Sequence, residues 1–325
     1  MITYEDHCLR ALAADGRWPE LLAAYRRHRA AAVERSGEES AAAVTAPLGH
    51  LIAYAAPPEL AVRLFDRDGG PGTVAGVADH DAGPLWEVLA TRHSWLRLAP
   101  LLVPAAVRRL VAQTRVLIGE DLSYGAEPDP EGVPLVLEPW ETAGWEEGTR
   151  VREYLPHGGA RTALLTLPAG REGLGEVELP DPGMGLRGQR ATRALGALAP
   201  WAEVACVRGP APQAAAQLAR GTRVAGGFTR VTGGYVPFAL VYPALVQAAA
   251  VDRAHGSAHG RLALWRALAA MAGAGGPDRA EVNALVARMR CFTWLEPAAG
   301  LRHLHVALED PACGLAWAVR GSEEL

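Results

Sequence analysis

Two histidines near the end of the chain, His303 and His305, have the type and spacing of a metal-binding or acid–base pair. Residues i and i+2 of a strand face the same way, so both imidazoles could contact one zinc or iron ion, given a further ligand. Glu309 is an even number of residues from both histidines and would therefore face the same way. However, it would lie about 13 Å from His305 at roughly 3.3 Å per residue. The alternation rule favours a simpler interpretation, in which the histidines form the polar outer face of a half-buried strand.

A second pair, His255 and His259, has the spacing of a helical His-x-x-x-His zinc site. Between them, Gly256 suits a left-handed helix C-terminus and Ser257 suits the N-cap of a new helix. We therefore predict that His255 ends one helix, where an imidazolium complements the helix dipole, and that His259 belongs to the next helix. Both remain weak catalytic candidates, and Ser257 lacks the Gly-x-Ser-x-Gly elbow of a nucleophile.

Residues 183–188 match the Gly-x-Gly-x-x-Gly pattern of dinucleotide-binding loops through Gly183, Gly185 and Gly188. That pattern requires a strand leading directly into the glycines and an acid at the end of the next strand. Two prolines precede these glycines, and the candidate acid, Glu203, begins its strand. A chance match is the better explanation in a chain with 36 glycines.

The composition excludes several reaction types. All 32 basic residues are arginine, so there is no Schiff-base lysine, pyridoxal-phosphate anchor, P-loop lysine or Ser-x-x-Lys site. The four cysteines are scattered without a Cys-x-x-Cys pair, which excludes a paired-thiolate zinc site and is typical of a reducing compartment. The net charge of −4 and the pI of about 6.2 give no indication of a nucleic-acid partner.

The elements that would position these residues divide the chain in two. Prolines that can begin helices recur through residues 1–125, at irregular intervals that favour a plain helical domain over a repeat array. Residues 126–132 combine turn formers with acids and are the predicted boundary. Residues 126–325 mix helices with strands, and residues 302–308 and 315–319 are predicted to form an antiparallel pair. The predicted class is α+β and helix-rich, with an N-terminal helical domain (1–125) packed on a mixed α/β domain (126–325).

The termini and the apolar runs bear on location. The N-terminus carries acids where a signal peptide needs bases, so we expect a cytoplasmic protein. The longest apolar run, residues 236–251, contains two prolines and falls short of the roughly 20 residues of a spanning helix. We expect this run to be a buried helix and the protein to have no membrane partner.

The sequence Gly-Arg-Leu-Ala-Leu-Trp-Arg-Ala-Leu at residues 260–268, together with residues 303–319, resembles the C-terminal region of a family of unknown function from high-GC filamentous bacteria. The resemblance covers roughly the last 70 residues. It implies a cytoplasmic bacterial protein and carries no activity.

Three hypotheses follow. The first is a binding or interaction protein whose α/β domain presents a pocket for a small molecule or a protein partner. The second is an enzyme of small-molecule metabolism that uses His303 or His305 in a metal or acid–base site. The third and weakest is a dinucleotide-binding enzyme.

Overall fold

The computed structural model describes residues 9, 11–66, 83–156, 158–223, 229–250, 255–296 and 302–323. The chain divides into two compact units, each built from several segments. Unit 1 comprises Met1–Ala126, Glu147–Ala163 and Ala250–His259, and unit 2 comprises Glu127–Glu146, Leu164–Ala249 and Gly260–Leu325. Unit 1 therefore contains two segments beyond the contiguous 1–125 domain of the sequence prediction. A domain boundary at residues 126–132 stays a prediction.

Unit 1 is mainly helical. Its elements are α1 (Trp18–Ala55, interrupted at Gly37), α2 (Pro58–Ala61), the 3-10 helix η1 (Val62–Phe65), α3 (Leu85–Arg92), α4 (Trp95–Leu98), α5 (Ala105–Leu117), the 3-10 helix η2 (Glu147–Thr149) and the short antiparallel strands β1 (Glu153–Tyr154) and β2 (Ala160–Arg161). Helix α3 packs against both α1 and α5. Residues 85–90 of this helix are all buried, because neighbours cover it on both sides. One of them is an acid, Glu87.

Unit 2 contains the main sheet. Its elements are α6 (Pro139–Thr142), β3 (Gly175–Leu179), α7 (Arg190–Leu198), β4 (Glu203–Arg208), α8 (Ala211–Leu218), β5 (Thr222–Arg223), β6 (Thr229–Val236), α9 (Phe238–Ala249), α10 (Ser257–Met271, which begins in unit 1), α11 (Arg279–Arg288), β7 (Arg290–Leu295), β8 (Arg302–Asp310) and β9 (Leu315–Glu323). The strands run in the order β3-β6-β7-β8-β9-β4, with β5 beside β6, and every pairing between them is antiparallel. Helices and an antiparallel sheet together confirm the predicted α+β class and the strand pair β8–β9.

Three helices pack against this sheet. On one face the alanines of α8 pack against the small residues of β8 and β9, Ala307, Ala316 and Ala318, because side chains of this size let the helix approach closely. The Glu309 carboxylate accepts a hydrogen bond of 2.9 Å from the backbone N–H of Ala211 at the start of α8, as expected at a positive helix end. Helices α7 and α9 pack against strands of the same sheet.

The predicted strand at residues 302–308 is confirmed as part of β8, but the predicted exposure of one of its faces is wrong. Every residue from Leu304 to Asp310 is buried, because α8 covers the face that the sequence assigned to solvent. The expected buried helix is present as α9, and eight of its residues are buried. The glycines at 183–188 follow β3, which pairs antiparallel with β6, so the parallel strand–helix–strand unit of a dinucleotide site is not formed there.

A buried ion pair fixes part of unit 2. Arg261 and Glu141 are both 0% exposed, and the guanidinium donates to both carboxylate oxygens at 2.8 and 2.9 Å. Tyr242 and Trp265 also donate to Glu141 Oε1, and the Glu138 N–H donates to Oε2. Burial alone would raise the pKa of Glu141, but the charge and hydrogen bonds of Arg261 lower it. This carboxylate is fully partnered and has a structural role.

Candidate functional site

The two tail histidines lie together in the first residues of β8, where β8 is not paired with β7. The pairing of β7 with β8 ends at Thr293 and Val306. Beyond it, Leu167 occupies the edge of β8, donating to the His303 carbonyl at 3.0 Å and accepting from the His305 N–H at 2.8 Å. The two imidazoles are 5.5 Å apart between ring centroids. The structure thus brings together the pair that the sequence predicted.

His305 is 0% exposed, and its ring stacks on Trp294 with centroids 5.6 Å apart and planes at 16°. Its Nδ1 lies 3.2 Å from the Trp294 carbonyl oxygen. Burial lowers the pKa of His305 to about 4, although Glu296 opposes this effect, so the ring is neutral at neutral pH. A neutral ring has one N–H, and the carbonyl places it on Nδ1. Nε2 therefore carries a lone pair, and no described group donates a hydrogen bond to it.

His303 is half-buried, and its Nε2 lies 2.9 Å from the carbonyl oxygen of Pro168. Next to the pair, Glu296 forms a salt bridge with Arg320 at 2.9 Å, and both side chains are largely buried. The indole of Trp294 and the backbone N–H of Arg220 donate to the same carboxylate. Although burial would raise the pKa of Glu296, hydrogen bonds from Arg320 lower it. The Glu296 carboxylate thus has its own hydrogen-bond partners, separate from the two histidines.

The metal hypothesis lacks a third protein ligand in the part of the chain that the structure describes. Among those residues no group of three or more His, Cys, Asp or Glu side chains could hold a metal ion. Glu309, excluded from the site on distance grounds, instead hydrogen-bonds the start of α8. Zinc or iron at His303 and His305 stays a prediction.

The second pair of candidate histidines, which the sequence assigned to different helices, also lies close together, in unit 1. The rings of His255 and His259 are 5.0 Å apart between centroids, and both side chains are half-buried. His255 does not end a helix, since α9 ends at Ala249, and that prediction is wrong. Helix α10 begins at Ser257, so the two histidines do not share a helix, as predicted.

Gly256 is not in the left-handed conformation that the sequence suggested. It is needed instead for close packing. A Cβ added at Gly256 would lie 1.6 Å from Glu87 Oε2 and 2.6 Å from the ring of Trp86. The Ser257 N–H then donates to the same Glu87 oxygen at 3.0 Å. The glycine thus lets the chain reach a buried carboxylate.

This carboxylate and its neighbours were not identified from the sequence. Glu87 is 0% exposed and interacts with Arg152, which immediately precedes β1, and with Tyr154 in β1. Burial raises the pKa of Glu87, and the charge of Arg152, two backbone N–H groups and a hydrogen bond from the Tyr154 side chain do not offset this effect. The available signal was a single acid inside the apolar run of residues 85–90.

Comparison of the chain with protein-family models, with curated proteins and with solved structures gives no match. Within the described residues, no helix has the length and apolar character to cross a membrane.

Proposed function

We propose that this protein binds a small molecule at the tail site formed by His303, His305 and Trp294. The observation that carries the proposal is the buried Nε2 of His305, a hydrogen-bond acceptor that no described group satisfies. An unsatisfied buried polar atom costs about 1–3 kcal/mol, so its persistence calls for an additional partner. The chemistry favours a ligand that donates an O–H or N–H to Nε2.

The burial of His305 favours a small molecule over a protein partner. A protein surface contacts exposed side chains, whereas this imidazole is 0% exposed. The flat faces of Trp294 and His305 are typical of small-molecule sites, which are mostly apolar with a few placed polar groups. We also propose a cytoplasmic bacterial protein without a nucleic-acid partner; the scattered cysteines, the resemblance of residues 260–268 and 303–319, and the net charge of −4 support this proposal.

The second candidate is a small-molecule enzyme that uses the same histidines. The specific observation in its favour is the unpartnered Nε2 of His305, since the lone pair of an imidazole nitrogen can accept a proton or ligate zinc or iron. His303, 5.5 Å away, would be the second group. For the metal form, a ligand in addition to the two histidines is required.

Thermal unfolding and native mass spectrometry test both candidates. The purified protein would be melted with Zn²⁺, with Fe²⁺ and with a panel of small hydroxyl and amide metabolites, because a ligand that binds only the folded state raises its melting temperature. His305→Phe keeps the ring and removes Nε2, and His93→Phe is the matched control at another partly buried histidine.

A co-purified small molecule, or a metabolite shift that persists in His93→Phe and disappears in His305→Phe, supports small-molecule binding. A shift with metal alone, lost in His303→Ala and His305→Phe, favours the enzyme instead. The tail site is wrong if no compound co-purifies and no ligand shifts the melt, or if His305→Phe keeps every shift.

A further inference from the structure

A short irregular segment, residues 165–168, lies against the tail site, and we call it the strap. Residues 162–174, between β2 and β3, form no helix or named strand. Within them Leu167 and Pro168 are buried, whereas residues 169–173 are all exposed. The connection therefore packs against the sheet at the strap and returns to solvent directly after it.

Hydrogen bonds hold the strap at its middle and at both ends. Leu167 occupies the edge of β8, where its N–H donates to the His303 carbonyl at 3.0 Å and its carbonyl accepts from the His305 N–H at 2.8 Å. The Pro168 carbonyl oxygen accepts from Nε2 of the His303 ring at 2.9 Å. At the other end, the Leu165 N–H donates at 2.6 Å to Oε1 of Gln247, on α9. Three of these four hydrogen bonds are thus made with the two histidines of the tail site.

His305 is 0% exposed, so a ligand reaches its Nε2 only after part of the surroundings moves. Strand β8 is paired with β9 along its whole length, and α8 packs into the apolar core of the sheet. Moving either of them would break a strand ladder or expose that core to water. The strap is attached by hydrogen bonds at three residues and continues into exposed chain, which are features of a segment that opens locally at low cost.

We propose that the strap is the lid of the tail site: it leaves the edge of β8 to admit a small molecule and then closes over it. The inference rests on the proposed function, because it explains how a ligand enters a site whose imidazole is buried. Opening also breaks the hydrogen bond from His303 Nε2 to Pro168, so it releases the second ring of the site. Segments that gate binding sites are drawn from the least stable parts of a fold.

Hydrogen–deuterium exchange of the full chain, followed by NMR without any ligand, tests the opening. The amides of Leu167 and His305 lose their hydrogen bonds together when the strap opens, so we expect equal protection factors for these two. Val306 is the control in the same strand, because its partner on β9, Val319, stays in place. Its protection factor should be higher by about tenfold or more. If Leu167 and His305 are as protected as Val306, the strap opens only when the unit unfolds, and the lid is wrong.

Loss of one attachment should loosen the strap without altering either histidine. Gln247→Leu removes the acceptor of the Leu165 N–H, so the amides of Leu167 and His305 should exchange about two- to tenfold faster, as expected for one hydrogen bond. Gln247→Glu is the matched control, because it keeps an oxygen acceptor and should exchange as the wild type does. An equal acceleration of Val306 in Gln247→Leu would indicate a general loss of stability and would contradict local opening.

Access to the imidazole can be measured with diethyl pyrocarbonate, which modifies imidazoles at a nitrogen lone pair, followed by mass spectrometry. His305 should be modified about two- to tenfold faster in Gln247→Leu than in the wild type, in step with amide exchange. His28, on α1 in unit 1, should react at an unchanged rate. Faster exchange without faster modification of His305 would show that the strap does not cover its ring.

The outcomes separate the lid from the proposed function, because neither measurement uses a ligand. A strap that stays closed refutes the lid and leaves small-molecule binding to the thermal melts. A strap that opens and exposes His305, with no metabolite shift in those melts, supports the opening and refutes the ligand.

Discussion

Two buried carboxylates, Glu141 in unit 2 and Glu87 in unit 1, are both 0% exposed and both paired with an arginine. Glu141 receives hydrogen bonds from Arg261, Tyr242, Trp265 and a backbone N–H. Glu87 keeps one oxygen without a partner. The pKa of Glu141 is lowered and that of Glu87 is raised. Burial of an acid is therefore not itself a sign of function, and incomplete pairing is the distinguishing feature.

The tail site also contains a buried atom without a hydrogen-bond partner, as Glu87 does. His305 is buried and neutral, and its Nε2 lacks a partner as Glu87 Oε1 does. Both atoms lie where separate chain segments meet. The Glu141 cluster, by contrast, is complete without any ligand.

The largest expected effect comes from breaking the complete cluster. Arg261→Met would leave the Glu141 charge buried without its partner, so we expect a loss of about 3–5 kcal/mol in the free energy of unfolding, measured with urea. Arg266→Met is the control on the same helix, because Arg266 pairs with Glu131 at the surface and should cost less than about 1 kcal/mol. Equal losses in the two variants would contradict the structural role of Glu141.

The next effect is the acid sensitivity of the tail site. The pKa of His305 is lowered to about 4 in the folded chain, against about 6.5 in an unfolded one. The unfolded state therefore binds a proton first as the pH falls. Stability is retained above pH 6.5 and falls toward pH 4, by at most about 3 kcal/mol.

Urea midpoints between pH 7 and pH 4 measure this loss. His305→Phe has no imidazole to protonate, so its midpoint should fall less steeply than that of the wild type. Parallel curves would mean that His305 is not buried in the neutral form.

The sequence predicted the α+β class and the strands of the tail, because alternation and turn residues are local signals. It did not predict the burial of His305, which depends on α8 covering a face of the sheet. The alanines at 211, 214 and 215 were a usable signal, since they match the small residues at 307, 316 and 318. These two sets of alanines meet because segments far apart in the sequence pack together, and no local sequence pattern specifies that packing.

The cluster around Glu87 in unit 1 was harder to predict from the sequence. His255 and His259 were identified by type, but Glu87, Arg152 and Tyr154 come from two other segments far along the chain. Their proximity depends on the packing of α3 with β1 and the start of α10. The resemblance of the last residues to a bacterial family stays untested.

A smaller effect should separate the two explanations of Gly256. Gly256→Ala places a Cβ 1.6 Å from Glu87 Oε2, so we expect a loss of about 1–3 kcal/mol from overpacking. Gly196→Ala in α7 is the control, because that Cβ meets nothing within 4 Å, and it should stabilise the helix by about 0.5–1 kcal/mol. A left-handed cap would tolerate Gly256→Asn better than Gly256→Ala. Steric crowding predicts that asparagine is at least as harmful, which urea unfolding would show.

The smallest effect is the most direct test of the comparison between the two carboxylates. Because the folded pKa of Glu141 is lowered, its contribution to stability is present above the unfolded pKa and is lost as the pH falls through the folded pKa. Glu141→Gln should therefore cost more stability at pH 7 than at pH 4.

The folded pKa of Glu87 is raised, so its contribution to stability is greatest below the unfolded pKa and is lost as the pH rises through the folded pKa. Glu87→Gln should cost less at pH 7 than at pH 4. A tenfold change in proton affinity corresponds to about 1.4 kcal/mol, which urea titrations of the two variants can resolve. If both costs change with pH in the same direction, the two acids do not differ in how far their partners offset burial.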